Sequence, residues 1–192
     1  MEPVVKTESL TKIFNQKTIA VNDLYMEVPP NSIYGFLGPN GSGKTTTIKL
    51  VLGLLRPSAG AVYVFGNSMG MDSADVRRRI GYLPTQPVFP EKMTPITYLD
   101  FIGKIFGLPK EVRIPRITEL IRSVDLLPLS SSEIRKFSTG EITRVGIAAC
   151  LINDPELLLM DEPTLGYAEN VINVRRRNFV ILCYFLFSIL FY

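Results

Sequence analysis

The segment GPNGSGKT, Gly38 to Thr45, constrains this chain more than any other. It fits the pattern G-x-x-x-x-G-K-[ST]. An apolar run, SIYGFLG (Ser32 to Gly38), precedes it, and a helical pattern, KTTTIKLVLGLL (Lys44 to Leu55), follows it and is expected to end at Arg56-Pro57-Ser58. Strand, glycine-rich loop and helix is the context such a loop requires. The glycines let the backbone curl so that several N–H groups point inward at a phosphate chain. The helix start adds partial positive charge. Lys44 is placed to reach the β- and γ-phosphates, and the Thr45 hydroxyl to ligate Mg²⁺. The alternative, a glycine turn that merely joins strand to helix, is disfavoured because pattern and context agree.

A phosphate loop needs a magnesium partner and a group that handles water. Asp161 and Glu162 end the apolar run Leu157–Met160, just over 100 residues after the loop. An aspartate at the end of a buried strand can hold Mg²⁺ through water, and a neighbouring glutamate can orient or deprotonate the attacking water. Histidine cannot contribute, because the chain has none. Imidazole bases, His-ligated zinc and Ser-His-Asp catalysis are thereby excluded.

The remaining composition sets the class. In 192 residues, 46% hydrophobic and 20% charged, enough apolar surface exists to offset chain entropy. The net charge of +3 gives no concentrated basic face for nucleic acid. Cys150 and Cys183 form no C-x-x-C pair and no disulfide framework. The N-terminus reads as no signal peptide, so a reducing cytosol is the expected setting. Short apolar runs at Val4–Leu10, Ala20–Val28, Ser32–Gly38 and Gly60–Gly66 predict strands, with a turn at Pro29-Pro30-Asn31. The continuous run at Ser32–Gly38 predicts a strand buried on both faces. Helical spacing appears over Pro95–Phe106, Ile114–Val124 and Ile142–Ile152, and a strand over Glu156–Pro163. Arg77-Arg78-Arg79 reads as a solvated helix face. Strands flanking a helical block predict an α/β core with an inserted helical subdomain at about residues 87–150.

The chain resembles the nucleotide-binding subunit of an ATP-binding-cassette (ABC) transporter. IGYLPTQPVFPEKMT (Ile80 to Thr94) is similar to the Q-loop, FSTGE (Phe137 to Glu141) to the signature LSGGQ, and INDPELLLMDEPT (Ile152 to Thr164) to the second phosphate-site strand and its sequel. TKIFNQKTIAVNDL (Thr11 to Leu24) is similar to the opening loop, where an aromatic stacks on adenine; Phe14 matches that position, with an ordinary core aromatic as the alternative. The resemblance covers residues 1–174. It implies an α/β fold, a P-loop NTPase core with an N-terminal antiparallel β layer, an inserted helical subdomain, and the C-terminal part of the usual core missing. It further implies a head-to-tail dimer with two ATPs between the subunits. Gly38, Pro39, Asn40, Gly41, Ser42, Gly43, Lys44, Thr45 and Thr46 would surround ATP. Thr45 and Asp161 would serve Mg²⁺, Glu162 and Lys44 would be catalytic, and Ser138, Thr139, Gly140 and Glu141 would face the partner's ATP. The implied partners are a second ATP-binding subunit, identical or different, and membrane-embedded permease subunits, with the chain on the cytoplasmic face of the membrane and no nucleic acid bound. The sequence of Ser138-x-x-Glu141 is in its own right a capping box that opens a helix near Thr139.

Several positions depart from the family pattern. Thr139 stands where the signature has its first glycine, and Glu141 replaces its glutamine, setting a negative charge near the partner's ATP. Thr85 falls where the Q-loop glutamine is expected, with Gln86 one place later. After Thr164 the residues are Leu165-Gly166-Tyr167-Ala168, without the interface aspartate; the family's histidine is absent as well. Ala168–Arg176 still looks like the start of the expected helix. These losses motivate an alternative to ATP hydrolysis that powers transport: a nucleotide-binding, non-hydrolysing subunit or inactive remnant.

The segment 175–192 is set apart from 1–174. Phe179–Tyr192 is almost wholly apolar and follows Arg175-Arg176-Arg177. As a helix its fourteen residues would span about 21 Å, short of the roughly 30 Å hydrocarbon core, so a membrane anchor is disfavoured. A buried core strand is disfavoured for want of polar positions. The expectation is a truncated or frame-shifted end that does not fold with the domain.

Overall fold

The computed structural model describes residues 2–90, 92–161 and 180–186. Glu162, Thr164, the loop Leu165–Ala168, the expected helix start at Ala168–Arg176, the basic triplet and residues 187–192 lie outside the described residues.

The N-terminal layer is an antiparallel sheet of order β2-β1-β4-β5. β1 (Val5–Phe14) and β2 (Thr18–Val28) form a hairpin, and Asn15 and Gln16, both at positive φ, make its turn. β4 (Ala59–Val64) and β5 (Asn67–Ser68) complete it. The second sheet is wholly parallel, of order β3-β8-β7-β6, from β3 (Ile33–Gly38), β6 (Ile80–Leu83), β7 (Leu157–Asp161) and β8 (Val180–Leu186). α1 (Lys44–Val51) packs on β2, β4 and β7, between the two sheets. A short α2 (Ala74–Arg78) precedes β6. The helical block is α3 (Pro95–Ile105), α4 (Lys110–Ser123) and α5 (Thr139–Leu151), with α3 against both others and α5 against β6.

β7 explains why one sheet serves two cores. Its side chains alternate between faces, and Leu157 through Met160 are all fully buried. Leu157 and Leu159 join Val5, Leu10, Ile48, Val51 and Val180 beneath the antiparallel layer. Leu158 and Met160 join Leu99, Leu120, Val145 and Leu151 beneath the helices. Each such leucine contributes about 1.5–3 kcal/mol by leaving water. Asp161 ends this strand, so its position follows from hydrophobic burial on both faces.

Four expectations need correction. α1 stops at Val51, with Leu52 as its C-cap, and does not reach Leu55, because Gly53 takes φ 66 and its N–H returns to Leu50 O. β3 is not buried on both faces: Tyr34 and Phe36 are half-buried, whereas Ile33 (57%) and Leu37 (49%) are exposed. The physical reason is position, since among the described residues β3 is the last strand of its sheet and pairs with β8 alone. The triplet Arg77–Arg79 is a solvated face only in part: Arg78 and Arg79 are exposed, Arg77 is half-buried, and two of the three are tied to neighbours. Arg77 donates to Gly70 O and Met71 O, while Arg79 makes a bidentate pair with Glu156 and lies 3.9 Å from the Phe65 ring centroid.

The fourth correction concerns the apolar end. Val180–Leu186 does fold with the domain: it is β8, paired in parallel with β3 from Ile33↔Ile181 to Gly38↔Leu186 and with β7 from Leu157↔Val180 to Asp161↔Tyr184. A strand inside a parallel sheet wants a continuous apolar run, so the lack of polar positions favours this placement. No helix among the described residues is long and apolar enough to cross a membrane.

Candidate functional site

The site lies at the carboxyl ends of β3 and β7, where α1 begins. β3 delivers the loop at Gly38, and Gly41 and Gly43 both take positive φ, 80° and 89°. Gly43 is the N-cap of α1, and no side chain caps that helix. The contrast with α3 and α5 is informative, since both of those are closed by capping boxes. The first N–H groups of α1 have no side-chain acceptor and suit an anion. Space at Gly43 is tight: a Cβ there would lie 2.0 Å from Ala20 O, so β2 packs directly on the loop.

Lys44 is 5% exposed, and its Nζ donates to Gly38 O at 2.7 Å and Pro39 O at 2.8 Å. The ammonium is thus desolvated and held by the loop's own carbonyls, aimed along the loop. One residue on, Thr45 Oγ1 donates to Asp161 Oδ2 at 2.9 Å across 116 residues of sequence. Asp161 is 4% exposed, and its Oδ1 is buried without a hydrogen-bond partner among the described residues. An orphaned buried carboxylate oxygen beside a threonine hydroxyl is a hard oxygen donor set, which fits a magnesium ion.

The other predicted residues are dispersed. Phe14 ends β1 opposite Thr18, is 37% exposed, and carries Lys12 Nζ 5.3 Å from its ring centroid. Thr46 sits in the first turn of α1 and is half-buried, whereas Pro39, Asn40 and Ser42 are exposed. Thr85 and Gln86 follow β6 and are both exposed. Ser138 is the N-cap of α5: its N–H donates to Glu141 Oε2 at 2.7 Å, and its hydroxyl donates to the same oxygen at 2.9 Å. Thr139 and Gly140 open that helix. No hydrogen bond or ion pair joins Ser138–Glu141 to the phosphate loop among the described residues.

Two participants carry no motif signal of their own. Ala20 contributes only a backbone oxygen, which no side-chain pattern reveals. Tyr82, on β6, has its phenol pushed above its ordinary value by burial and then by the negative charge of Asp161. Its place inside IGYLP was the only hint.

Residues 21–165 match the ABC transporter family. The chain is 38% identical over 174 residues to an uncharacterised ABC transporter ATP-binding protein of a Nostoc strain, covering 85% of this chain and 50% of that one. It is 38% identical over 177 residues to the bacitracin transport ATP-binding protein of Bacillus licheniformis, covering 92% and 56%. The chain spans about half the length of the curated relatives it matches. Among solved structures, cbiO1 of Clostridium perfringens, part of an ABC transporter complex, superposes with a TM-score of 0.85 at 21% identity, over 97% of this chain and 79% of that one. A nucleotide-free ATP-binding cassette gives 0.79 at 22% identity, over 95% and 81%.

Proposed function

The chain belongs to the ABC transporter family of ATP-binding domains, and from that premise we propose that it binds ATP with Mg²⁺ and hydrolyses it to power transport across a membrane. The observation that carries the reading is the Thr45–Asp161 hydrogen bond beside the buried Lys44. Two motifs far apart in sequence meet there, as phosphate chemistry needs. On this reading the backbone of Gly41–Thr45 takes the phosphates, and Lys44 exchanges the Gly38 and Pro39 carbonyls for phosphate oxygens. Thr45 and Asp161 hold a magnesium ion, whose charge, when bound, would offset that of the β- and γ-phosphates. Glu162, next in sequence after Asp161, orients water. Phe14 offers a ring face to adenine, and Thr85 or Gln86 serves the water side. Ser138 and Gly140 face the ATP of a second subunit.

The partners proposed are a second ATP-binding subunit and membrane-embedded permease subunits, which place the chain peripherally at the membrane. Residues of the helical block, about 87–150, form a subdomain of the 1–174 cassette. The transported substrate is left to the membrane subunits.

A turnover assay tests the reading. Phosphate release from Mg-ATP should be measurable, and both Lys44→Ala and Glu162→Gln should abolish it. The residues Leu165–Ala168, which stand where the family has its interface aspartate, favour a second reading, a binder without turnover. Retained ATP binding with no phosphate release, even with membrane partners, would select that one.

A further inference from the structure

We propose that Lys12 is a positioning residue for the nucleobase: its ammonium holds the Phe14 ring from one face, so that the opposite face is ready to stack on a base. The inference rests on the reading of Phe14 as the platform for adenine.

β1 carries both residues, two places apart at its end, and Lys12 Nζ lies 5.3 Å from the Phe14 ring centroid. The ammonium has a fixed seat, because it also donates to Arg56 O at 2.8 Å, in the segment that follows α1. Phe14 ends its strand, is 37% exposed, and adjoins the hairpin turn at Asn15 and Gln16. An exposed ring at a strand end can take more than one rotamer, and a base that stacks on it must first select the right one. A cation drawn to the π face of the ring removes part of that cost before the nucleotide arrives.

The strand itself is seated without the ammonium. Ser58 N–H donates to Thr11 O at 2.8 Å, and Ile13 N–H donates to Ser58 Oγ at 3.0 Å. Across the hairpin, Lys12 stands opposite Val21, whose neighbour Ala20 packs on Gly43 of the phosphate loop. The hairpin therefore keeps its place beside the loop through backbone contacts. What Lys12 adds is the orientation of the ring that the hairpin carries.

A double-mutant cycle on Mg-ATP affinity, read by isothermal titration calorimetry, tests this. Phe14→Leu should weaken binding about tenfold, as the loss of one stacked base does. Lys12→Met, which keeps the stem without the charge, should weaken it about two- to fivefold, the fold-change that matches an exposed cation–π contact. Lys12→Arg should restore it. In the Phe14→Leu background Lys12→Met should change nothing further, because no ring is left to hold. Unchanged or tighter binding by Lys12→Met, no recovery in Lys12→Arg, or an equal further loss in the Phe14→Leu background would overturn the role of Lys12 and leave Phe14 as the platform. Undiminished binding by Phe14→Leu would overturn the platform itself and the proposal with it. Absence of ATP binding by the unaltered chain would overturn the nucleotide reading as a whole.

Discussion

Replacing Gly43 with alanine gives a sharp test of how the phosphate loop is seated. Two costs act there. Gly43 sits at φ 89, a conformation that an L side chain adopts at about 1–2 kcal/mol. Its new Cβ would also fall 2.0 Å from Ala20 O, a backbone atom. Ordinary carbon–oxygen contacts lie near 3.3 Å, so β2 and the loop must part by about 1 Å. Overpacking of this kind costs about 1–3 kcal/mol. The sum, about 3 kcal/mol, corresponds to a fall in Tm of about 6–12 °C for a chain of this size. Gly41 is the internal control: its φ is 80, but a Cβ there meets nothing within 4 Å. Gly41→Ala should cost about 1 kcal/mol of strain and 2–4 °C. Binding should follow the same order, with ATP affinity falling about 100-fold in Gly43→Ala and less than about tenfold in Gly41→Ala. Differential scanning calorimetry and a fluorescent ATP titration read both quantities. Equal losses in the two variants would refute the argument that contact with β2, beyond backbone strain, fixes the loop.

Asp161→Asn keeps an acceptor for Thr45 but removes the charge; the Mg²⁺-dependent part of ATP affinity should vanish, so that titrations with and without EDTA coincide. Arg79→Ala breaks a pair whose side chains are 42% and 51% exposed and a contact with Phe65; after discounting for solvent, a loss of about 1 kcal/mol is expected in urea melts. The pH sign follows from Glu156, whose carboxyl is held below its ordinary value chiefly by the Arg79 hydrogen bond. Stability from this pair is present above the unfolded carboxyl range and lost as pH falls through the folded one, so the two proteins should converge in acid and differ at neutral pH. Cys150, whose thiol burial pushes up to about 12, should resist iodoacetamide at pH 8 by peptide mass spectrometry until the chain unfolds. Leu120→Ala, in the centre of the helical core, should cost about 2–5 kcal/mol in the same melts.

What the sequence determined by itself was local. The glycine pattern specified a loop that curls, the apolar run before Asp161 specified a buried strand, and Ser138-x-x-Glu141 specified a helix start, which the structure closes as a capping box. Each of these depends on neighbours a few residues away, so spacing carries it. The tertiary structure decided what depends on distant neighbours. Thr45 and Asp161 were both legible as candidates, but only the adjacency of α1 and β7 makes them touch. Arg77 and Arg79 form a charge run in one dimension and two separate clamps in three. The runs at Ile33–Gly38 and Val180–Leu186 look alike on paper, yet among the described residues the first ends its sheet and the second is paired on both sides. An apolar run records that a segment can leave water. Which of its faces does so is set by the elements that pack on either side, and those are chosen by the whole chain at once.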